Sequence, residues 1–378
     1  MGIHDHAMIN TSRRRKHIGG RAGGHRTATT SATAGSARAP TIRVAARAGA
    51  RTRSCREDDA PLHPGWRNRR RVRPFTTHYA KLYSHQQPWP IDFWIGRYGV
   101  DLFFMISGYV IFLTLDKTER PADFVVSRFS RLFPAFWCAV LVTYVMARLF
   151  QLPGWTVSPR EALVNMTMMP AIFGASRVDG VYWSLEKELG FYLMAGVIYY
   201  LGSRGLTLLV MASFVIAQAL LEMSGLKSEV PGLWRIYAIL PIEQLHLFLY
   251  GASLYFVRND MISSSGFVLI IAICFIGSNP HLHLMHASII LILFAFLVLA
   301  ITRQMSFLRH PALLFLGAIS YPLYLLHNNV GSAIIFALND AELPMAEALL
   351  AALSVSLVFA AALHRFVELP AMKKIRSW

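Results

Sequence analysis

The sequence predicts an all-α polytopic membrane helical bundle, and three observations carry that prediction. Of 378 residues, 54% are hydrophobic and 15% charged, where a soluble domain carries about 25% charged. The mean hydropathy is +0.42. Nine apolar segments follow residue 95, several of them near the roughly 20 residues that span a bilayer. They are too long and too unbroken for barrel strands, so helices are the expected spans.

Residues 1–74 stand apart. They hold 17 of the 37 Lys and Arg residues but 4 of the 21 acids, so most of the formal charge of +16 is N-terminal. Rich in Arg, Ala, Thr, Gly and Ser, with no apolar period, this stretch cannot build a core and reads as disordered. A basic arm for anionic lipid or nucleic acid and an Arg-rich transit peptide both fit its composition. Apolar segments then run near residues 99–115, 132–150, 185–201, 205–222, 236–256, 264–278, 285–302, 310–336 and 346–366. Their connections alternate in charge. Lys117, Arg120, Arg128 and Arg131, then Arg204, Arg258, Arg303 with Arg309, and finally Lys373, Lys374 and Arg376 fall on one side. The loop after residue 278 has no Lys or Arg, nor has the one around Asp340, Glu342 and Glu347; the longer 151–184 loop carries Arg160 and Arg177. The positive-inside rule puts the 116–131 loop and the C-terminus in the cytoplasm. No cleavable leader, internal repeat or fused soluble domain is expected.

Polar residues at the spans are the candidates for chemistry, because each is costly to keep in a membrane. Asp101 opens the first span. Arg128 and Arg131, three apart and so on one helical face, precede the second. They suit a phosphate clamp and equally the ordinary basic anchoring of a span. Glu188, near the outer end of the third span, needs a partner or water. Ser184, Glu188 and Phe191 share its face, bordered by Trp183 and Tyr192. Alternatively Glu186, Lys187 and Glu188 are a solvated helix start and the aromatics are interfacial. His327, in the outer half of its span beside Asn328 and Asn329, fits a polar cavity or a bond to a neighbouring helix. Glu243, Gln244 and His246 are placed to line the same cavity but form no motif. His281, His283 and His286 sit in a loop without nearby carboxylates, so no metal site is expected. Cys55, Cys138 and Cys274 form neither a disulfide pattern nor a metal motif.

Several of these stretches resemble the acyltransferase-3 family, membrane enzymes that move acyl groups, often acetyl, onto sugars of envelope and secreted glycans. The resemblance runs from about residue 77 to the end. VYWSLEKELGFYL is similar to the family's W-S-L-x-x-E-x-x-F-Y, matched by Trp183, Ser184, Leu185, Glu188, Phe191 and Tyr192. Arg128 and Arg131 match a similar R-x-x-R. SYPLYLLH, ending at His327, is similar to S-Y-x-L-Y-L-x-H. HRFVELP resembles the closing Y-R-x-x-E-x-P through Arg365, Glu368 and Pro370, with His364 in place of the tyrosine. It is expected to end the last helix and take no part in the chemistry. Thr77, His78 and Tyr79 look like the end of the family's first helix, which would bring the spans to about ten. Arg67 sits eleven residues before His78, the family's Arg-to-His spacing.

The resemblance implies an O-acyltransferase with acyl-CoA as co-substrate and no permanently bound cofactor. Arg128 and Arg131 would bind acyl-CoA from the cytoplasm. A hydroxyl of a carbohydrate or lipid-linked glycan would enter from the opposite side, near Trp183, Ser184, Tyr192 and His327. His78 would be the general base, a role that suits a neutral imidazole, and Glu188 would orient the acceptor or a catalytic group. As residues alone, His78 equally fits a surface histidine. The expected partners are membrane lipid and a carbohydrate acceptor, not nucleic acid, and the expected location is the inner membrane. The rival class is a small-solute or lipid-linked-sugar transporter, although the broken helix pairs of inverted repeats are not found.

The domain boundary is expected between a basic low-complexity segment, 1–76, and a membrane acyltransferase domain, 77–378. RNRRRVRPFT stands where the family has an apolar helix, and each Arg buried in a membrane costs about 2.5–3.5 kcal/mol. GCC alanine codons shifted in frame read as CGC, arginine, or CCG, proline. An out-of-frame upstream segment is therefore the preferred reading, with an inactive product as its corollary.

Overall fold

The computed structural model describes residues 94–150, 157–228, 232–278, 284–340 and 343–377. Residues 1–76, with Arg67, and also His78, His281 and His283, lie outside these. Among the described residues there is no strand. The helices are α1 (Tyr98–Leu115), α2 (Pro121–Leu149), α3 (Pro159–Asn165), α4 (Trp183–Leu201), α5 (Arg204–Ser224), α6 (Leu233–Ile239) and α7 (Leu245–Arg258). They continue with α8 (Ser264–Ser278), α9 (Leu284–Ile301), α10 (Pro311–Asp340), α11 (Met345–Leu363) and α12 (Leu369–Arg376). Each segment expected to be a span is helical, save the one near 236–256, which is interrupted at Leu240 and Pro241. Among the described residues five helices are long and apolar enough to cross a membrane: α1, α2, α5, α9 and the continuous Met345–Arg376 rod. The chain is a multi-pass membrane protein.

Side chains are sorted as a bilayer demands. Leu141, Val145, Leu209, Ile292 and Val358 are exposed on the outside of the bundle, while Ser107, Thr143, Ser184, Glu188, Thr207 and Ser253 are buried inside it. Polar groups in a membrane must find partners within the protein: Ser107, Thr143 and Ser184 find them on other elements, Thr207 and Ser253 on carbonyls one turn back in the chain.

Three boundaries differ from those read in the sequence. Helix α2 begins at Pro121 rather than near 132, so Arg128 and Arg131 lie within it rather than before it. Proline suits the first turn because its missing N–H would have no helical partner there. At 29 residues, α2 is about 43 Å long at 1.5 Å per residue, longer than a hydrocarbon core of roughly 30 Å. The segment near 236–256 is broken. Pro241 disfavours helical geometry at the residue before it, and Leu240 is extended, with φ −96° and ψ 146°. Glu243 and Gln244 therefore sit in a separate short turn, Ile242–Gln244, not in a span. Finally, HRFVELP does not end the last helix. A π-helical turn, His364–Glu368, carries the rod on into α12 as far as Arg376. The wider turn accommodates Pro370, which cannot donate to the turn before it.

Contacts tie one set of helix ends together. Asp116, just after α1, pairs with Arg204 at the start of α5 and accepts from Tyr255 of α7 at 2.8 Å. Arg258 closes α7 onto the Ile301 carbonyl of α9 at 2.6 Å. The opposite ends are joined by Lys227, which bridges Glu222 and Glu243 at 2.5 Å each, and by Tyr98 with His286 at 3.3 Å. The alternation of basic connections in the sequence is thus an alternation of ends in space.

Helices α1 and α7 cross with their backbones touching. A Cβ on Gly108 would overlap the Phe248 carbonyl, and one on Gly251 would overlap the Met105 carbonyl. Small residues permit such close approach in membranes. Gly251→Ala should therefore cost about 1–3 kcal/mol, the usual penalty of overpacking, read as a lower unfolding temperature in detergent. Gly99→Ala, where nothing lies within 4 Å, should leave that temperature unchanged. Equal behaviour of the two variants would refute the close crossing.

Candidate active site

Helix α4 opens on three consecutive charges that go three ways. Glu186 is buried and takes a two-pronged salt bridge from Arg177, at 2.6 and 2.7 Å. Lys187 donates to the Tyr237 carbonyl on α6. Glu188 turns into the bundle, 4% exposed. This is not a solvated helix start. Tyr192, one turn on, donates its hydroxyl to Glu188 Oε1, and Ser107 of α1 donates to the same oxygen at 3.2 Å. Glu188 Oε2 is buried and has no hydrogen-bond partner among the described residues.

Arg128 lies against the same tyrosine. Its guanidinium carbon is 5.8 Å from the centre of the Tyr192 ring, a cation–π distance. Its Nη2 donates to Thr114 at 3.0 Å and to Ser127 at 3.3 Å. Its Nε is buried without a hydrogen-bond partner among the described residues. Arg131, one turn further, is in a different state. Its Nη1 lies 2.5 Å from Glu368 Oε1, and Glu368 Oε2 is 2.7 Å from Nδ1 of His364. Glu368 is fully buried, so this pair also holds the π turn against α2. The closing motif had been expected only to end a helix.

A second polar group gathers around the start of α4. Ser184 Oγ and the Tyr324 hydroxyl are 2.5 Å apart, and Tyr324 donates to the Val181 carbonyl at 2.7 Å. Tyr182 donates to the Leu325 carbonyl at 3.2 Å. His327 is half-buried, with Nδ1 2.8 Å from the Tyr324 carbonyl in its own helix. Asn328 donates to Asp179 Oδ1 at 2.6 Å, and Asn329 donates to the Val178 carbonyl at 3.0 Å. Asp179 lies in the loop before α4, where burial pushes its carboxyl up to about 6, against hydrogen bonds from Val181 and Asn328 that lower it. Trp183 packs edge-on to Phe104, with centroids 6.0 Å apart. Gln244 Oε1, in the short turn before α7, and His246 Nε2, in the first turn of α7, are buried without hydrogen-bond partners among the described residues.

The residues singled out in the sequence thus form two groups. Arg128, Glu188 and Tyr192 join in one, with Arg131 beside them. Ser184 and His327 meet through Tyr324 in the other. Ser107, Thr114, Asp179 and Tyr324 were missed. Tyr324 lies within SYPLYLLH, while Ser107 and Thr114 carry no signal in a lone sequence.

A family model described as an acyltransferase domain, Acyl_transf_3, matches residues 75–365. The chain belongs to the acyltransferase-3 family. It is 32% identical over 117 residues to the exopolysaccharide production protein ExoZ of Rhizobium meliloti (strain 1021), covering 28% of this chain and 36% of that protein. It is 30% identical over 123 residues to nodulation protein 10 of Rhizobium leguminosarum bv. viciae, covering 28% of this chain and 34% of that protein. The aligned region thus spans about a third of the length of these curated relatives. No solved structure matches. The acyltransferase-3 match takes in His78, Arg128, Arg131, Glu188, Tyr192 and His327, and stops before Glu368 and Arg376.

Proposed function

We propose that the chain is an integral membrane O-acyltransferase of the inner membrane, with its basic end and C-terminus in the cytoplasm. It moves an acyl group, acetyl first among the candidates, from acyl-CoA to a hydroxyl of a carbohydrate or lipid-linked glycan. The observation that carries this reading is the continuity of the Arg128–Tyr192–Glu188 group. A cation near the basic end touches a tyrosine whose hydroxyl is spent on a buried carboxylate with one oxygen unpaired. A charge held in a membrane interior marks a functional site by default.

In the reaction, the acceptor oxygen forms a bond to the acyl carbon and the carbon–sulfur bond of the thioester breaks. The hydroxyl proton passes to a base, and the departing CoA thiolate takes up a proton. His78 is the proposed base. Glu188 orients the reacting groups, and arginines at the basic end hold the phosphates of acyl-CoA. Trp183, Ser184, Tyr192 and His327 belong to the acceptor side of this scheme. Residues 1–76 are proposed to be read out of frame, which DNA upstream of codon 78 tests directly.

The test of function is transfer of labelled acetyl from acetyl-CoA to membrane and polysaccharide fractions of cells expressing the protein, with the upstream frame restored. Label should appear in an alkali-labile ester. A solute moved across vesicles with no ester formed would support a transporter instead.

A further inference from the structure

We propose that Arg376, near the end of the chain, pairs with Arg128 to bind a phosphate group, while Arg131 serves as a strut held by Glu368. This deepens the acyl-CoA reading above and rests on it.

The geometry begins at Ser127. Arg128 Nη2 donates to its hydroxyl at 3.3 Å, and Arg376 Nη2 approaches its carbonyl at 3.5 Å. Arg376 Nε also donates to Ser130 Oγ at 3.1 Å. Two guanidiniums, from α2 and α12, therefore converge on one turn of α2. Arg128 and Arg131 are the cations whose charge acts on Arg376. Such a cluster repels itself unless an anion offsets it. The acid at hand is Glu368, and it is engaged by Arg131 and His364. Among the described residues neither Arg128 nor Arg376 has a carboxylate partner, and Arg128 Nε is buried with no partner at all. Arg376 is exposed, so an anion reaches the pair from the basic end.

Guanidinium forks match phosphate oxygens and bind them two at a time. The shared chemistry is a phosphate monoester or diphosphate. The phosphates of CoA and the headgroup of an anionic lipid both present it, and the proposal assigns the site to CoA. The R-x-x-R spacing suggested a clamp of two arginines from one helix. The structure divides it differently, because one of those arginines is already neutralised.

The experiment titrates CoA against the full chain in phosphatidylcholine nanodiscs. Arg128→Ala and Arg376→Ala should each weaken binding by about tenfold or more, the scale of a lost charged hydrogen bond. Arg376→Lys should fall between, keeping the charge without the fork. Arg131→Ala should lower the unfolding temperature, since it strands buried Glu368, and change CoA affinity less than Arg376→Ala does. CoA binding by Arg376→Ala at parental affinity overturns the proposal and leaves the acyl-CoA reading standing. So does an Arg131→Ala variant that loses CoA more than Arg376→Ala. If Arg376→Ala sheds co-purified anionic lipid, seen by native mass spectrometry, while CoA affinity holds, the site belongs to a headgroup and the proposal fails. A parental protein that binds no CoA removes both readings together.

Discussion

His78→Ala should abolish measurable acyl transfer while leaving membrane insertion intact. A general base supplies roughly 100- to 10,000-fold in rate, and a loss of that size takes a membrane enzyme below detection. The imidazole is the fitting group because it takes a proton at neutral pH and can return one. The measurement is ester formation from labelled acetyl-CoA, with insertion checked by accessibility of single cysteines from either side. The work is done on a chain with the upstream frame restored. Parental transfer by His78→Ala would assign the base to another residue.

Glu188→Gln should give the second large effect. A glutamine can keep the bonds that Ser107 and Tyr192 donate to Oε1, so the fold is retained. What disappears is the charge at Oε2, the buried oxygen without a partner. The expected result is a fall in kcat on the order of 100-fold with little change in KM for acyl-CoA, because the group acts in the chemical step. Glu188→Ala should also lose about 1–3 kcal/mol of stability, since it leaves a buried tyrosine hydroxyl unpaired. If Glu188→Gln turned over at the parental rate, the carboxylate would be a packing element alone.

The helices were legible because membrane spans are written in runs of apolar residues, and all those runs but the one near 236–256 are unbroken helix in the structure. Their ends were less so. Arg128 and Arg131 read as a loop because a charged turn looks the same inside a helix as before it; Pro121 was the better marker of the start. Pro241 announced the break before α7, yet the apolar residues around it masked the signal. The Arg128–Glu188–Tyr192 group was partly readable, since Glu188 and Tyr192 lie one helical turn apart. Their partners, Ser107 and Thr114, come from another helix, and the spacing within one segment says nothing about its neighbours. The part played by Glu368 was not legible, because its partner, Arg131, lies far away along the chain. His78 and the residues before it lie outside what the structure describes, so the proposed base rests on the resemblance of its motif and on the family match.

The π turn at His364–Glu368 sets the phase of everything after it. One extra residue in a turn rotates the following helix by about 100° relative to a regular α-helix. Glu368 and Arg376 face α2 only in that rotated setting. A single-residue deletion there would keep the rod helical and every downstream side chain present, yet swing Arg376 off Ser130 and Glu368 off Arg131. Chain length through these five residues is therefore constrained in its own right, an indexing requirement that composition alone does not reveal.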